Sequence, residues 1–108
     1  MPSNLGSIAL RIDILNHQVF VDGKPVHLAP REFELLACLA QSNGRVVRHE
    51  ELLRRVWGDS QSQNPINLRT YIKQLRSRLE DDSTEPRFIQ TVPRIGYRFL
   101  QASVMAGS

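Results

Sequence analysis

Cysteine, long apolar runs and clustered metal ligands are all scarce in this chain. Cys38 is the single cysteine of 108 residues, which rules out an intrachain disulfide and argues strongly against a cysteine-based zinc site. It sits among Leu35, Leu36, Ala37 and Leu39, the setting of a small buried apolar residue rather than a nucleophile. His17, His27 and His49 stand at no ligand spacing to one another or to a carboxylate cluster, so no metal is expected. No apolar run approaches the ~18 residues of a membrane span, and no signal peptide is visible. A soluble protein of the reducing cytoplasm, without membrane contact, is the expectation. A catalytic carboxylate pair, a Gly-rich phosphate loop and a nucleophile elbow are also missing. Neither an enzyme nor a cofactor is expected.

What is present is a mildly basic chain, with a net charge of +3 and a pI near 9.6. Seven of the 14 Lys and Arg residues fall between Arg69 and Arg98. An anionic partner fits that balance. The length suits one domain with its own core.

Residues 1–7 are short and polar and predict a flexible terminus. From Ile8 the pattern turns β-like. Ile8, Leu10, Ile12 and Ile14 alternate, then Val19 and Val21, and Asp22-Gly23 gives a strong hairpin signal before the return strand Pro25–Leu28. Pro30 opens a first helix as its first residue, with Phe33, Leu36, Ala37 and Ala40 on its core face and Leu35 and Leu39 alongside. Ala29 offers this helix no side-chain cap. Val46-Val47 predicts a very short strand. A second helix runs from Glu50 to Trp57, with Leu52, Leu53 and Val56 inward, and Gly58 ends it. Residues 58–65, GDSQSQNP, read as a polar loop. After a third helix, Phe88–Val92 and Tyr97–Leu100 form a hairpin around Pro93-Arg94-Ile95-Gly96. Residues 101–108 predict a flexible tail.

The third helix, Ile66–Glu80, organises the rest. At 100° per residue Leu68, Ile72, Leu75 and Leu79 form one apolar stripe. Thr70, Lys73, Gln74 and Ser77 lie opposite, Arg69 and Arg76 on one flank, Tyr71 and Arg78 on the other. Such a face carries groups that neutralise phosphates and reach base edges. Taken alone, a solvated basic helix explains it as well. Three helices followed by a hairpin, with cations on both helix face and hairpin tip, describe a winged helix-turn-helix that reads DNA. The predicted class is α+β: an N-terminal antiparallel sheet, three helices and a C-terminal β-hairpin wing, as one domain over residues 8–100.

Four segments carry a family resemblance: LAPREFELL (28–36), GRVVRHEELLRRVWG (44–58), IKQLRSRL (72–79) and PRFIQTVPRIGYRF (86–99). In that order and spacing, the chain resembles the effector domain of OmpR/PhoB-type response regulators. The resemblance implies a four-stranded N-terminal sheet and sequence-specific binding of double-stranded DNA. Helix 66–80 would enter the major groove and wing 88–100 the minor groove. It further implies a homodimer on direct-repeat half-sites about one helical turn apart. Loop 58–65 would touch RNA polymerase. By position it gives base reading to Arg69, Thr70, Lys73 and Gln74, and backbone contacts to Trp57, Asn67, Tyr71, Arg76, Arg78, Thr91 and Tyr97. Trp57 fits a half-buried core edge equally well, and Tyr97 fits a hairpin core.

The chain departs from the family pattern in places. Ile66 stands where several members carry a phosphate-binding Arg. Arg69 and Gln74 replace an acidic residue and an Arg, which implies a different target sequence. Pro93 takes the place of a wing Arg, leaving Arg94 for the minor groove. Ala29 and Arg48 replace hydroxyl caps, at a cost of about 1 kcal/mol each. A phosphoacceptor receiver, the controller in a two-component phosphorelay, would need about 100–150 further residues. The alternative reading is a winged-helix module for protein–protein contact, since fold alone does not decide function.

Overall fold

The computed structural model describes residues 10–58, 67–81 and 84–100, and the backbone of 103–105. It begins with an antiparallel meander of β1 (Leu10–Asp13), β2 (Gln18–Val21) and β3 (Lys24–Val26). Leu10, Ile12, Val19 and Val21 point inward and are buried, as their period-two spacing requires. Asp22 and Gly23 join β2 to β3 with φ of 51° and 82°. Two successive left-handed residues are the signature of a type I′ turn, whose twist matches the strands it joins. Ahead of β2, the Asp13 carboxylate accepts from the Asn16 side chain at 2.9 Å and its backbone N–H at 3.1 Å. Those bonds hold its carboxyl below the usual value.

Two expectations change here. Ser103–Met105, assigned from composition to a flexible tail, form β7 and pair in parallel with β1. The sheet order is β3-β2-β1-β7, so the fourth strand comes from the far end of the chain and the sheet is mixed. A tail of small residues carries no local β signal, and a parallel partner 92 residues away, as Arg11 is from Ser103, leaves no trace in spacing. The termini 1–9 and the remainder of 101–108 lie outside the described residues, as does loop 59–66.

Helix α1 (Pro30–Ala40) is the centre of the domain and packs against the second and third helices and the wing. Leu35, Leu36 and Leu39 are fully buried, and Phe33, Cys38 and Ala40 nearly so, so apolar contact surrounds it on most sides. Burial pushes the Cys38 thiol up from its usual value, which keeps it protonated and unreactive. Ala29 caps α1 without a side-chain bond, as expected. The loss is offset from inside the helix: the Glu32 carboxylate accepts the Ala29 N–H at 2.9 Å.

Helix α2 (His49–Trp57) follows β4 (Val47–Arg48) directly. Arg48 likewise gives no side-chain cap. Instead the His49 N–H donates to the Ile95 carbonyl at 3.2 Å, which joins the helix to the wing turn. β4 pairs with β6 (Gly96–Phe99), and β6 pairs with β5 (Ile89–Val92), giving a second sheet in the order β4-β6-β5. The wing is therefore three-stranded.

Helix α3 spans Leu68–Leu79, the reach of its apolar stripe, and stops one residue short of the expected end at Glu80. Asn67 is its N-cap, with Oδ1 accepting the Thr70 N–H at 3.2 Å. Glu80 ends it in the left-handed conformation, and the Asp81 N–H closes back onto the Arg76 carbonyl at 2.8 Å. Leu68, Ile72, Leu75 and Leu79 are all buried.

Candidate nucleic-acid interface

With its leucine stripe sunk against α1, α3 must turn its opposite side to solvent. Arg69, Thr70, Lys73, Gln74 and Ser77 are all exposed there. Among the described residues no carboxylate pairs with Arg69 or Lys73, so both charges face water. Arg69, Lys73, Arg76, Ser77 and Asp81 line a concavity of about 380 Å³ along one flank of the helix. Ser77, to which the family resemblance gives no contact, stands at the middle of this face, as its place on the helix opposite the apolar stripe requires.

The expected backbone-contacting residues separate into groups. Asn67 stays exposed at the entry of α3 while its carbonyl oxygen caps the helix. Tyr71 and Trp57 are both half-buried and meet edge to face, ring centroids 4.9 Å apart. The Arg31 guanidinium lies 5.8 Å from the Trp57 ring, and its Nη1 donates to the Val56 carbonyl at 2.9 Å. That contact holds the last turn of α2 and the base of the following loop. Nothing in the local sequence marks Arg31 for this, because its partner is 25 residues away.

Four other residues are engaged within the protein. Arg76 Nη2 donates to the Ile89 carbonyl at 2.9 Å and to Thr91 Oγ1 at 2.8 Å, tying α3 to β5. Tyr97 is only 5% exposed, edge-on to His49 and beneath Arg76. It is part of the wing core. Arg78 points toward α1, with Nε 3.5 Å from Glu32 Oε1, and lines a cleft with the β2–β3 hairpin. Glu32, 2% exposed, thus meets both the Arg78 charge and the Ala29 N–H, and a buried carboxylate requires such partners.

The wing tip is a tight turn. The Ile95 N–H donates to the Val92 carbonyl at 3.0 Å, with Pro93 at the second position and Arg94 at φ 68° in the third. This is type II geometry, which favours glycine where Arg94 stands. Arg94 and Ile95 are exposed, Ile95 at 45%. Asp81 holds the other end of the hairpin. Its Oδ1 accepts the N–H of Arg87 at 2.6 Å and of Phe88 at 3.3 Å, and its Oδ2 accepts that of Ile89 at 3.0 Å.

Residues 23–99, which hold the exposed basic helix face and the hairpin with its cationic tip, match the family model described as "Transcriptional regulatory protein, C terminal". The chain belongs to this family. The transcriptional regulatory protein KdpE of Mycobacterium tuberculosis (strain ATCC 25618 / H37Rv) is 41% identical over 88 residues, 82% of this chain and 39% of KdpE. The sensory transduction protein RegX3 of Mycolicibacterium smegmatis is 37% identical over 89 residues, again 82% of this chain and 39% of the relative. The domain thus spans about two fifths of the length of these curated relatives. Among solved structures, the RstA DNA-binding domain of Klebsiella pneumoniae in complex with its RstA box superposes with a TM-score of 0.77 at 34% identity, covering 86% of this chain and 93% of that one. The response regulator DrrB, a Thermotoga maritima OmpR/PhoB homolog, gives 0.73 at 41% identity over 86% of this chain and 42% of its own. The α+β winged-helix architecture of this effector domain is that of the OmpR/PhoB family. Among the described residues no helix is long and apolar enough to cross a membrane.

Proposed function

We infer that this domain binds double-stranded DNA by sequence, as the effector part of a cytoplasmic transcriptional response regulator. The observation that carries this reading is the outer face of α3. Arg69, Thr70, Lys73 and Gln74 lie together on it, exposed, with no carboxylate partner for either cation among the described residues. In the major groove, Arg69 is suited to fork onto a guanine, Gln74 onto an adenine, and Thr70 to meet a thymine methyl. Asn67, Tyr71 and Trp57 stand at the near end of this face, where a phosphate strand would pass. Tyr97 is left out of the contact set, because the wing core holds it, while Arg78, half exposed beside Glu32, stays in it. Binding as two copies on direct repeats, and polymerase contact through loop 58–65, belong to the same reading.

Lys73→Ala and Gln74→Ala are each expected to cost about tenfold on the preferred duplex and far less on random duplex. Competition titrations on both DNAs check this. Equal losses on both would contradict base reading.

Arg94 supports the wing contact by its conformation. A non-glycine residue in the left-handed region costs about 1 kcal/mol, and such strain collects at functional positions. Arg94→Gly is expected to leave the melting temperature unchanged or raised, while affinity for the preferred duplex falls about tenfold. Thermal denaturation and a binding titration on one preparation test it, and unchanged affinity would remove Arg94 from the interface.

A further inference from the structure

Resting on the DNA-binding reading, we propose that Arg76 is a positioning residue that sets the wing against the recognition helix. Its guanidinium is turned inward. One nitrogen, Nη2, bridges the Ile89 carbonyl and Thr91 Oγ1, and the Tyr97 ring lies 5.9 Å from the guanidinium carbon. Nε is buried and has no partner among the described residues, so no phosphate reaches that edge. Arg76 and Asp81, both at the C-terminal end of α3, grip β5 at the same place: Asp81 takes the Ile89 N–H, Arg76 the Ile89 carbonyl. Thr91 lies one residue before Val92, where the wing turn begins. The clasp therefore fixes the angle between the helix that carries Lys73 and Gln74 and the turn that carries Arg94. Both grooves of one duplex are met only at the right angle.

A double-mutant cycle on the full chain tests this. Arg94→Ala is expected to lower affinity for the preferred duplex about tenfold in the parent, but less than about twofold once Arg76→Ala has released the wing. Arg76→Lys keeps the charge but ends one atom short of Nη2, the nitrogen that makes both bonds, and is expected to bind no better than Arg76→Ala. Thr91→Val removes only a hydroxyl and is expected to weaken binding about fivefold. Losses that multiply, or full affinity restored by lysine, would make Arg76 an ordinary phosphate donor and overturn the proposal. Hydrogen exchange without DNA separates the two readings. Arg76→Lys and Thr91→Val are expected to speed exchange of the Ile95 N–H and of β5–β6 amides, with α1 amides unchanged. If the parent selects no duplex, the DNA reading falls and exchange still decides the clasp. Unchanged wing exchange would sink it.

Discussion

Gly96→Ala is expected to destabilise the domain by about 3 kcal/mol or more, because the new methyl would have to occupy backbone space. A Cβ at Gly96 falls on the Val47 carbonyl oxygen, 2.8 Å from the Val47 carbonyl carbon and 2.9 Å from Arg48 Cα. None of these is the end of a flexible side chain. β4 would have to leave β6, breaking the Val47–Tyr97 and Arg48–Gly96 pairing. The bond from His49 N–H to the Ile95 carbonyl sits next to that pairing and would be lost with it. For a domain of this size, the melting temperature should fall by at least ~10 °C. Calorimetry checks it, and a drop of a degree or two would mean that β4 is not held against β6 in solution.

Asp81→Ala is expected to cost about 2–4 kcal/mol. One carboxylate satisfies three consecutive backbone N–H groups at the start of β5, those of Arg87, Phe88 and Ile89, and the side chains of the last two are fully buried. Without it, the Phe88 and Ile89 donors lose their acceptor in a partly buried place, while the Arg87 N–H turns to water. Asp81→Asn keeps one carbonyl oxygen and should fall between parent and alanine in urea unfolding. Near-identical midpoints for all three would show that the nest does not support the wing. DNA affinity at saturating stability should change little, because Asp81 contributes through the hairpin and not through the groove face.

The helix stripe and the first hairpin were legible because each is written in local spacing. Leu68, Ile72, Leu75 and Leu79 repeat at the helical period and are all buried, and Asp22-Gly23 makes the turn its composition announces. Exposure of Arg69, Thr70, Lys73 and Gln74 follows from that same stripe. Long-range partnerships were not legible. The ends of α3 depend on how Asn67 folds back and on Glu80 turning left-handed, which periodicity does not encode. Glu32 reads as an ordinary first-turn acid until Arg78, 46 residues later, is seen beside it. Arg76 and Thr91 read as surface groups, because neither the helix wheel nor the strand spacing shows that they meet across α3 and β5, whereas the hairpin-core alternative for Tyr97 is the one its burial matches. The strand β7 and the third wing strand β4 are likewise pairings across distance.

The measurement closest to the central claim is a selection from random duplex DNA with the intact chain, followed by titration of the recovered sequence at two salt concentrations. The expected result is a motif, arranged as direct repeats about one helical turn apart. Its binding should weaken with added salt, with a log–log slope of about −0.9 per phosphate neutralised, and stay well above random DNA at both concentrations. Recovery of no motif, with equal and weak salt-sensitive binding to every duplex, would contradict sequence reading by α3. It would leave the basic face as a protein-contact surface.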